Sequence, residues 1–281
     1  MLDYHIHPNF SIDAKGSVDE FCDAAVGKGL HHICFTTHVD TDPFRNDGVV
    51  RVGNDEISTT ENAWLGSYVE TINEAAQIYQ EKGLEVRLGV EIDYYSGFES
   101  NLPQDFHTFD WDYVLGATHL LEHKALSLED EATGIFSKYK VDELGELYYG
   151  RLVDCIRSGF FDAIAHIDIY RRYGERFYGE EVRTLWKQYV SEIASTMYKA
   201  NVGFEINTSS FRTGLDDTMP TKEFIQCLHD EGVEIVIVGS DAHLPQHVGY
   251  EIHKALKILR ESGYETVSIF RRRRPVAIEL Q

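Results

Sequence analysis

The sequence predicts an α/β barrel, because helical and strand-like segments alternate along its 281 residues. Seven strand–helix units can be counted, and this alternation is typical of a parallel sheet. Several strand-like segments, such as residues 235–238, are continuously apolar, as in strands that are buried on both faces. No Pro-, Gly- or Ser-rich linker divides the units, so we expect one barrel-like domain over residues 1–281 rather than two domains.

The predicted helices carry start and stop signals. Ser17 and Glu20 have the spacing of a capping box, and Gly29 suits the left-handed position after the first helix. The order of helix, glycine and apolar strand then recurs along the chain. Helices are predicted over residues 17–28, 58–82, 142–157, 180–199, 221–230 and 249–261. Strands are predicted over residues 2–7, 32–38, 85–91, 113–119, 163–166, 203–207, 234–241 and 266–270.

Three segments interrupt this order and are predicted to be long loops. They cover residues 39–57, 120–140 and 170–179, and each follows a predicted strand. In a β/α barrel the loops after the strands lie at the C-terminal face and shape the pocket there. We therefore expect these three segments to form the walls of a binding site.

Composition restricts the classes of function. A formal net charge of −21 disfavours nucleic acid and acidic membranes as partners. No apolar segment reaches the roughly 18–20 residues that span a bilayer, and no signal-peptide pattern is present, so a cytoplasmic location is expected. Four scattered cysteines without a CxxC motif disfavour a disulfide framework or a zinc ribbon. The basic run at residues 271–274 would suit an anion or RNA, but ion pairs within this acidic protein are the favoured interpretation.

Residues that bind metals follow the predicted strands. His5 and His7 lie two positions apart, so both side chains point to one side of the first strand. The C-terminal ends of barrel strands meet at one rim, where imidazoles and carboxylates suit zinc, manganese or iron. So many ionisable groups are costly to bury unless they are paired or bound to metal, and they exceed the ligands of one tetrahedral ion. We therefore expect two or three ions, held by His5, His7, Asp13, His38, Glu91, His119, His166, Asp241 and His243.

These ligand motifs, in this order, resemble those of the polymerase and histidinol phosphatase (PHP) superfamily over the whole chain. Within it, residues 89–93, 166–171 and 205–212 are most similar to the monofunctional histidinol-phosphate phosphatases. The resemblance implies a distorted, TIM-like (β/α)7 barrel with the metal site at the C-terminal ends of the strands. That implied fold agrees with the seven units counted from the alternation of helices and strands.

The resemblance also implies how the ligands divide among three ions. Glu91 would bridge two of the ions. Asp13 stands where some relatives have histidine, which leaves the identity of the metals and the occupancy of the third site open. The implied groups are His5, His7, Glu91 and Asp241 for the first ion, Glu91, His119 and His166 for the second, and Asp13, His38 and His243 for the third.

The activity implied by the resemblance is hydrolysis of L-histidinol phosphate to L-histidinol and phosphate, a step of histidine biosynthesis. Two ions bridged by Glu91 would lower the pKa of a shared water, and the resulting hydroxide would attack the phosphorus. Glu91, Asp241 and His243 are the residues predicted to take part in this chemistry. The alternative is a PHP-type phosphoesterase or phosphodiesterase that acts on nucleotides or other small phosphate esters. A module that supports a polymerase is disfavoured by chain length and acidity.

The phosphate of the substrate is expected to contact two arginines. Arg171 and Arg212 follow strand-end motifs and could each bind two phosphate oxygens, with Arg172 as the alternative to Arg171 and an ion pair as the other role for each. An oligomer is possible, and its order is left open. Acidic candidates for the cationic part of the substrate, or for supporting roles, are Asp93, Glu122, Asp168 and Glu205, and histidines that could protonate the leaving group are His123 and His247.

Overall fold

The apolar segments form strands in the computed structural model, which describes residues 1–280. Thirteen strands are present within these residues. They are β1 (Leu2–Ile6), β2 (His32–Val39), β3 (Val49–Val52), β4 (Asp55–Ser58), β5 (Glu85–Asp93), β6 (Tyr113–Ala117), β7 (Leu120–Leu121), β8 (Lys124–Ala125), β9 (Ala163–Ile164), β10 (Gly203–Asn207), β11 (Val236–Gly239), β12 (Thr266–Arg271) and β13 (Arg274–Glu279).

Seven of these strands form the barrel. They lie side by side in the order β1-β2-β5-β6-β9-β10-β11, and every neighbouring pair is parallel. The barrel closes at its C-terminal end, where Ile6 forms a parallel bridge with Ala242 and the His7 N–H donates to the Ala242 carbonyl at 2.9 Å. The predicted α/β barrel of seven strands is therefore confirmed.

Helices cover the outside of the barrel, and they include the predicted capping box. The Ser17 hydroxyl accepts from the Glu20 N–H at 3.3 Å, and the Glu20 carboxylate accepts from the Ser17 N–H at 2.7 Å. The α-helices are α1 (Val18–Gly27), α2 (Leu65–Gln80), α3 (Glu129–Lys138), α4 (Val141–Arg157), α5 (Arg171–Tyr178), α6 (Val190–Ala200), α7 (Lys222–Asp230) and α8 (Ile252–Glu261).

The three predicted loops contain regular structure, so that prediction was wrong. Residues 39–57 include the β3–β4 hairpin, whose turn is made by Gly53 with φ +64°. Residues 120–140 contain the β7–β8 hairpin and α3, and residues 170–179 are almost entirely α5. These short elements lack the long apolar periodicity that signals a helix or strand, because only part of each one faces the core.

Two predicted helices are shorter than expected. The segment 58–82 becomes α-helical only at Leu65, because the side chains of Thr59 and Trp64 bind backbone carbonyls outside an α-helix. The Trp64 indole N–H donates to the Thr59 carbonyl at 3.2 Å, and the Thr59 hydroxyl donates to the Gly48 carbonyl at 3.1 Å. In the segment 180–199 the first half, Gly179–Gln188, is a run of 3₁₀ turns before α6.

The C-terminal hairpin β12–β13 closes the N-terminal end of the barrel. Arg271 pairs with Glu85 at the start of β5 at 2.8 Å, and Arg273 pairs with Asp162 before β9 at 3.1 Å. The Phe270 ring packs against Tyr113 with ring centroids 4.9 Å apart. The basic run thus makes ion pairs, as favoured, and β13 was not predicted. Among the described residues, no helix is long and apolar enough to cross a membrane.

Candidate metal centre

Glu91 lies at the centre of a buried group of histidines at the C-terminal rim. The parallel register of β2 and β5 places His38 beside Glu91. The Glu91 carboxylate is 3.0 Å from His38 Nδ1, 3.3 Å from His5 Nε2 and 3.1 Å from His166 Nε2. Side chains from four separate strand ends therefore meet at one carboxylate, which is 1% exposed.

The residues expected at the first ion lie together. His5, His7 and Asp241 have ligand atoms within 4.8 Å of one another. His7 Nε2 is 3.5 Å from Asp241 Oδ1 and 3.6 Å from Glu91 Oε2. One cation between these atoms would contact residues from β1, β5 and the end of β11.

The second expected group is formed by residues from β5 and the segments after β6 and β9. His119 Nε2 lies 3.2 Å from His166 Nε2. Both nitrogens face Glu91 Oε1, at 4.0 Å for His119 and 3.1 Å for His166. Glu91 therefore faces the first group with one oxygen and the second group with the other, as a bridging carboxylate requires.

The third expected group lies nearer to solvent. His243 Nε2 is 3.1 Å from Asp13 Oδ2 and 3.4 Å from His38 Nε2, while His38 Nε2 is 3.7 Å from the same Asp13 oxygen. The His38 and His243 rings both stack on His7, at centroid distances of 4.1 and 4.2 Å. The structure thus brings together all nine predicted ligands.

Unpaired buried atoms show that this donor set fits a metal. His5 Nε2, His7 Nε2 and Glu91 Oε2 are buried and have no hydrogen-bond partner in the described part of the chain. Leaving one buried polar atom unpaired costs about 1–3 kcal/mol, so three together require another partner. Because all three atoms point into one small space, a divalent cation would satisfy them at once. Imidazole and carboxylate donors suit zinc, manganese or iron.

The charges around these atoms also favour a cation. Burial lowers the pKa of His5, but Glu205, Glu91 and Asp241 together outweigh it and hold that pKa well above its ordinary value. Burial raises the pKa of Glu91, but the surrounding imidazoles, His5 first, hold it well below its usual range. The centre therefore carries ionised carboxylates whose field attracts positive charge.

Two carboxylates behind the ligands orient their rings. Glu205 Oε1 lies 2.7 Å from His5 Nδ1, and Asp93 Oδ1 lies 2.8 Å from His119 Nδ1. Each pair keeps the ring proton on Nδ1 and leaves Nε2 free for a metal. A Cβ on Gly239 would lie only 2.1 Å from Glu205 Oε1, so glycine is needed for this pair. Both carboxylates were candidates for supporting roles.

Two features of the centre carry no clear sequence signal. His166 and Asp241 have φ values of +27° and +55°, which side chains other than glycine rarely adopt. Such strain persists where the surroundings enforce it, commonly at functional sites. For Asp241 the enforcing group is the buried Asp3, whose carboxylate accepts from the Ser240 N–H at 2.8 Å and the Gly249 N–H at 2.7 Å. The role of Asp3 was not predicted.

A cavity of about 620 Å³ opens above the metal centre, and two of the three arginines that line it, Arg172 and Arg212, contact Asp241. Arg212 donates to the carbonyls of Ser240 and Asp241 at 2.8 and 2.7 Å. Arg172 donates to the Ser209 hydroxyl at 3.1 Å and lies 3.5 Å from Asp241 Oδ2. Both cations are therefore held beside the metal ligands, where a phosphate would need them.

Arg171 does not reach this cavity, which corrects the prediction for that residue. Its guanidinium is fully buried. It pairs with Asp168 at 3.0 Å and Glu175 at 2.8 Å, and it donates to the Thr218 carbonyl at 2.8 Å. Because α5 begins here, the adjacent Arg172 turns towards the cavity in its place.

The remaining candidates divide between the cavity and other contacts. His247 lines the cavity. Glu122 instead binds Lys138, with a separation of 2.6 Å, and His123 binds Asp42, also at 2.6 Å. Neither Glu122 nor His123 lies in the cavity wall.

A β/α barrel with such a group of histidines and carboxylates at its C-terminal rim has the features of a metal-binding protein. The family model of the PHP domain matches residues 3–209, so the chain belongs to the PHP domain family. It is 28% identical to a probable histidinol-phosphatase of Deinococcus radiodurans over 277 residues, covering 98% of both chains. It is 24% identical to a histidinol-phosphatase of Lactococcus lactis over 275 residues, covering 96% of this chain and 94% of the other.

The fold is also that of a solved structure. The histidinol phosphate phosphatase of Lactococcus lactis, in complex with zinc, L-histidinol and phosphate, superposes with a TM-score of 0.76 over 98% of both chains. The sequence identity in this comparison is 20%, so the match shows the fold. The predicted membership of the PHP superfamily and its barrel are confirmed.

Proposed function

We propose that this protein is a metal-dependent phosphomonoesterase that hydrolyses L-histidinol phosphate to L-histidinol and phosphate. The observation that carries the proposal is the Glu91-centred cluster at the floor of a cavity that Arg172 and Arg212 also line. The names of relatives that match nearly the full length of the chain support the choice of substrate. Arg172 replaces Arg171 in the proposed phosphate contacts.

The residues of the chain have separate tasks in this proposal. The nine ligands would hold two or three divalent ions, of zinc, manganese or iron. When bound, such ions supply Lewis-acid polarisation of the phosphoryl group and a water of lowered pKa. Arg172 and Arg212 neutralise the roughly two negative charges of a phosphomonoester and orient it for in-line attack. The strained backbone of Asp241 and the Glu205–His5 pair preorganise the ligands before substrate arrives.

Partners and location are part of the same proposal. A small phosphorylated compound is the partner that the 620 Å³ cavity accommodates, and neither nucleic acid nor a membrane is proposed. A cytoplasmic location and the order of any oligomer stay predictions.

The test combines metal analysis with a substrate panel. The purified protein is analysed for zinc, manganese and iron, and phosphate release is then measured from histidinol phosphate, nucleotides and p-nitrophenyl phosphate. We expect the highest kcat/KM on histidinol phosphate. Equal efficiency across the panel, or the highest efficiency on nucleotides, would favour the broader phosphoesterase alternative.

A substitution tests the metal scheme itself. His119→Ala should abolish turnover and lower the bound metal, because it removes a ligand beside His166 and Glu91. The matched control is His253→Ala on α8, whose side chain is 71% exposed and lies outside the cavity wall. Full activity in His119→Ala, with unchanged metal content, would show that the scheme is wrong.

A further inference from the structure

Two segments that follow barrel strands are joined to each other beside the metal centre. We name residues 40–48, after β2, the β2 rim, and residues 120–131, after β6, the β6 rim. Both rims line the cavity, and they come from strands that are not neighbours in the barrel. The lining residues are Asp40, Arg45 and Asp47 from the β2 rim, and Leu120, Ala125, Ser127 and Leu128 from the β6 rim.

Arg45 connects the β2 rim to the β6 rim, and we name this set of contacts the joint. Its Nε donates to Asp47 Oδ1 at 2.9 Å within its own rim. Its Nη1 reaches across to the β6 rim, donating to Glu131 Oε2 at 2.7 Å and to the His123 carbonyl at 3.0 Å. The side chain is only 9% exposed although it belongs to a surface segment. A guanidinium presents its donors in a rigid planar fork, so Arg45 can hold Asp47 with one edge while Nη1 reaches Glu131.

A second contact connects the same two rims. Asp42 Oδ2, on a fully buried side chain, lies 2.6 Å from His123 Nδ1, and the Phe44 ring lies 4.4 Å from the His123 ring. Glu131 Oε2 also accepts from the Ala125 N–H at 2.5 Å, which fixes the β7–β8 hairpin. The two rims therefore form one wall, which the contacts of Arg45, Asp42 and Phe44 hold together.

Two other residues of the cavity wall, Arg172 and Arg212, form what we name the arginine arc. They follow β9 and β10, and neither belongs to the β2 rim or the β6 rim. A phosphate held by these arginines leaves the rest of the substrate to lie against the other wall. That wall offers the apolar side chains of Leu120, Ala125 and Leu128 beside the polar side chains of Asp40, Arg45, Asp47 and Ser127. Because its one arginine is already paired with Asp47 and Glu131, this wall suits the organic part of a phosphate ester rather than the phosphate itself.

We propose that Arg45 is a positioning residue that holds the wall against which the leaving group of the substrate binds. This inference rests on the proposed phosphomonoesterase function and extends it to substrate selection. It predicts that loss of the joint weakens binding of the ester but not binding of free phosphate, which has no leaving group. It also predicts that removing the Arg45 side chain increases hydrogen exchange in both the β2 rim and the β6 rim.

The experiment compares Arg45→Ala, Arg45→Lys and Arg157→Ala in the metal-loaded protein. Arg157→Ala is the matched control, because it removes an exposed arginine–glutamate pair, 2.9 Å from Glu192, on α4. Hydrogen exchange by mass spectrometry reports on the two rims. Kinetics give KM and kcat for histidinol phosphate, and the inhibition constant of inorganic phosphate reports on the arginine arc alone.

Arg45→Ala should speed exchange in both rims and raise KM on the order of tenfold, as expected for lost contacts to one substrate group. The inhibition constant of phosphate should stay within about twofold, since no transition-state or phosphate contact is removed. Arg45→Lys should recover part of the KM, and Arg157→Ala should match the wild type.

Unchanged exchange in Arg45→Ala, or a phosphate inhibition constant that rises in parallel with KM, would overturn the inference. If the wild type does not hydrolyse histidinol phosphate, the proposed function and the leaving-group role both fail. The exchange comparison would then still decide whether Arg45 joins the two rims.

Discussion

Replacing Glu205 by glutamine tests how the barrel interior prepares a metal ligand. Glu205 is fully buried, and Oε1 lies 2.7 Å from His5 Nδ1. The other oxygen, Oε2, accepts from the His166 N–H and from Asn207 Nδ2, both at 3.0 Å. The carboxylate thus accepts on both sides, and it keeps the His5 proton on Nδ1 so that Nε2 is free to bind an ion.

A glutamine amide at this position cannot satisfy all of these partners in either of its two orientations. With the NH2 group towards His5, the ring proton moves to Nε2, where an ion would bind. With the NH2 group towards His166 and Asn207, it faces the His166 N–H and the Asn207 amide, which are also donors. These buried donors then lack an acceptor, which costs about 1–3 kcal/mol for each unpaired group. We therefore expect Glu205→Gln to lower metal affinity by about 10–100-fold. At about 1.4 kcal/mol per tenfold, this loss is about 1.4–2.8 kcal/mol.

The assay is a zinc titration of metal-free protein against a chromophoric chelator. Glu122→Gln is the matched control, because the Glu122 carboxylate binds Lys138 at 2.6 Å outside the cavity wall. Circular dichroism checks that the variants stay folded. Zinc affinity equal to that of the wild type in Glu205→Gln would refute the reasoning, since it would show that His5 needs no fixed tautomer.

Four further predictions follow from the contacts in and around the metal centre. Gly239→Ala should lower the free energy of unfolding by about 1–3 kcal/mol in urea, because its Cβ meets Glu205 Oε1 at 2.1 Å; unchanged stability would contradict this. Arg172→Ala should raise the inhibition constant of phosphate and lower the free energy of unfolding less than Arg171→Ala does, because Arg172 faces the cavity. Arg171→Ala should instead lower the free energy of unfolding by about 3–5 kcal/mol, because it leaves Asp168 buried without its cation; equal stability of the two variants would refute the distinction. Chelation should lower the melting temperature, and added zinc or manganese should restore it, in calorimetry.

The seven barrel strands could be predicted because each is a buried apolar segment, and β2, β5, β9 and β11 also follow a glycine. That their C-terminal ends meet at one rim also followed from the fold class. Helix α5 could not be predicted, because Gly174 and several charged residues hide any apolar periodicity. That helix is stabilised by tertiary contacts instead: Arg171 pairs with Asp168 before it and with Glu175 within it. Such contacts depend on the folded chain and leave no periodic signal.

The same reasoning explains why the predicted ligands lie together and why Arg171 does not lie beside them. A ligand at a strand end, such as Glu91, faces the rim whatever the loop after it does. Arg171 and Arg172 lie at the start of a short helix, where neighbouring side chains point about 100° apart, at 3.6 residues per turn. One of them must face the core and the other the cavity, and the choice depends on where α5 begins. Asp168, which is buried, and Glu175 pair with Arg171 and hold it in the core, so the arginine that faces the cavity is Arg172.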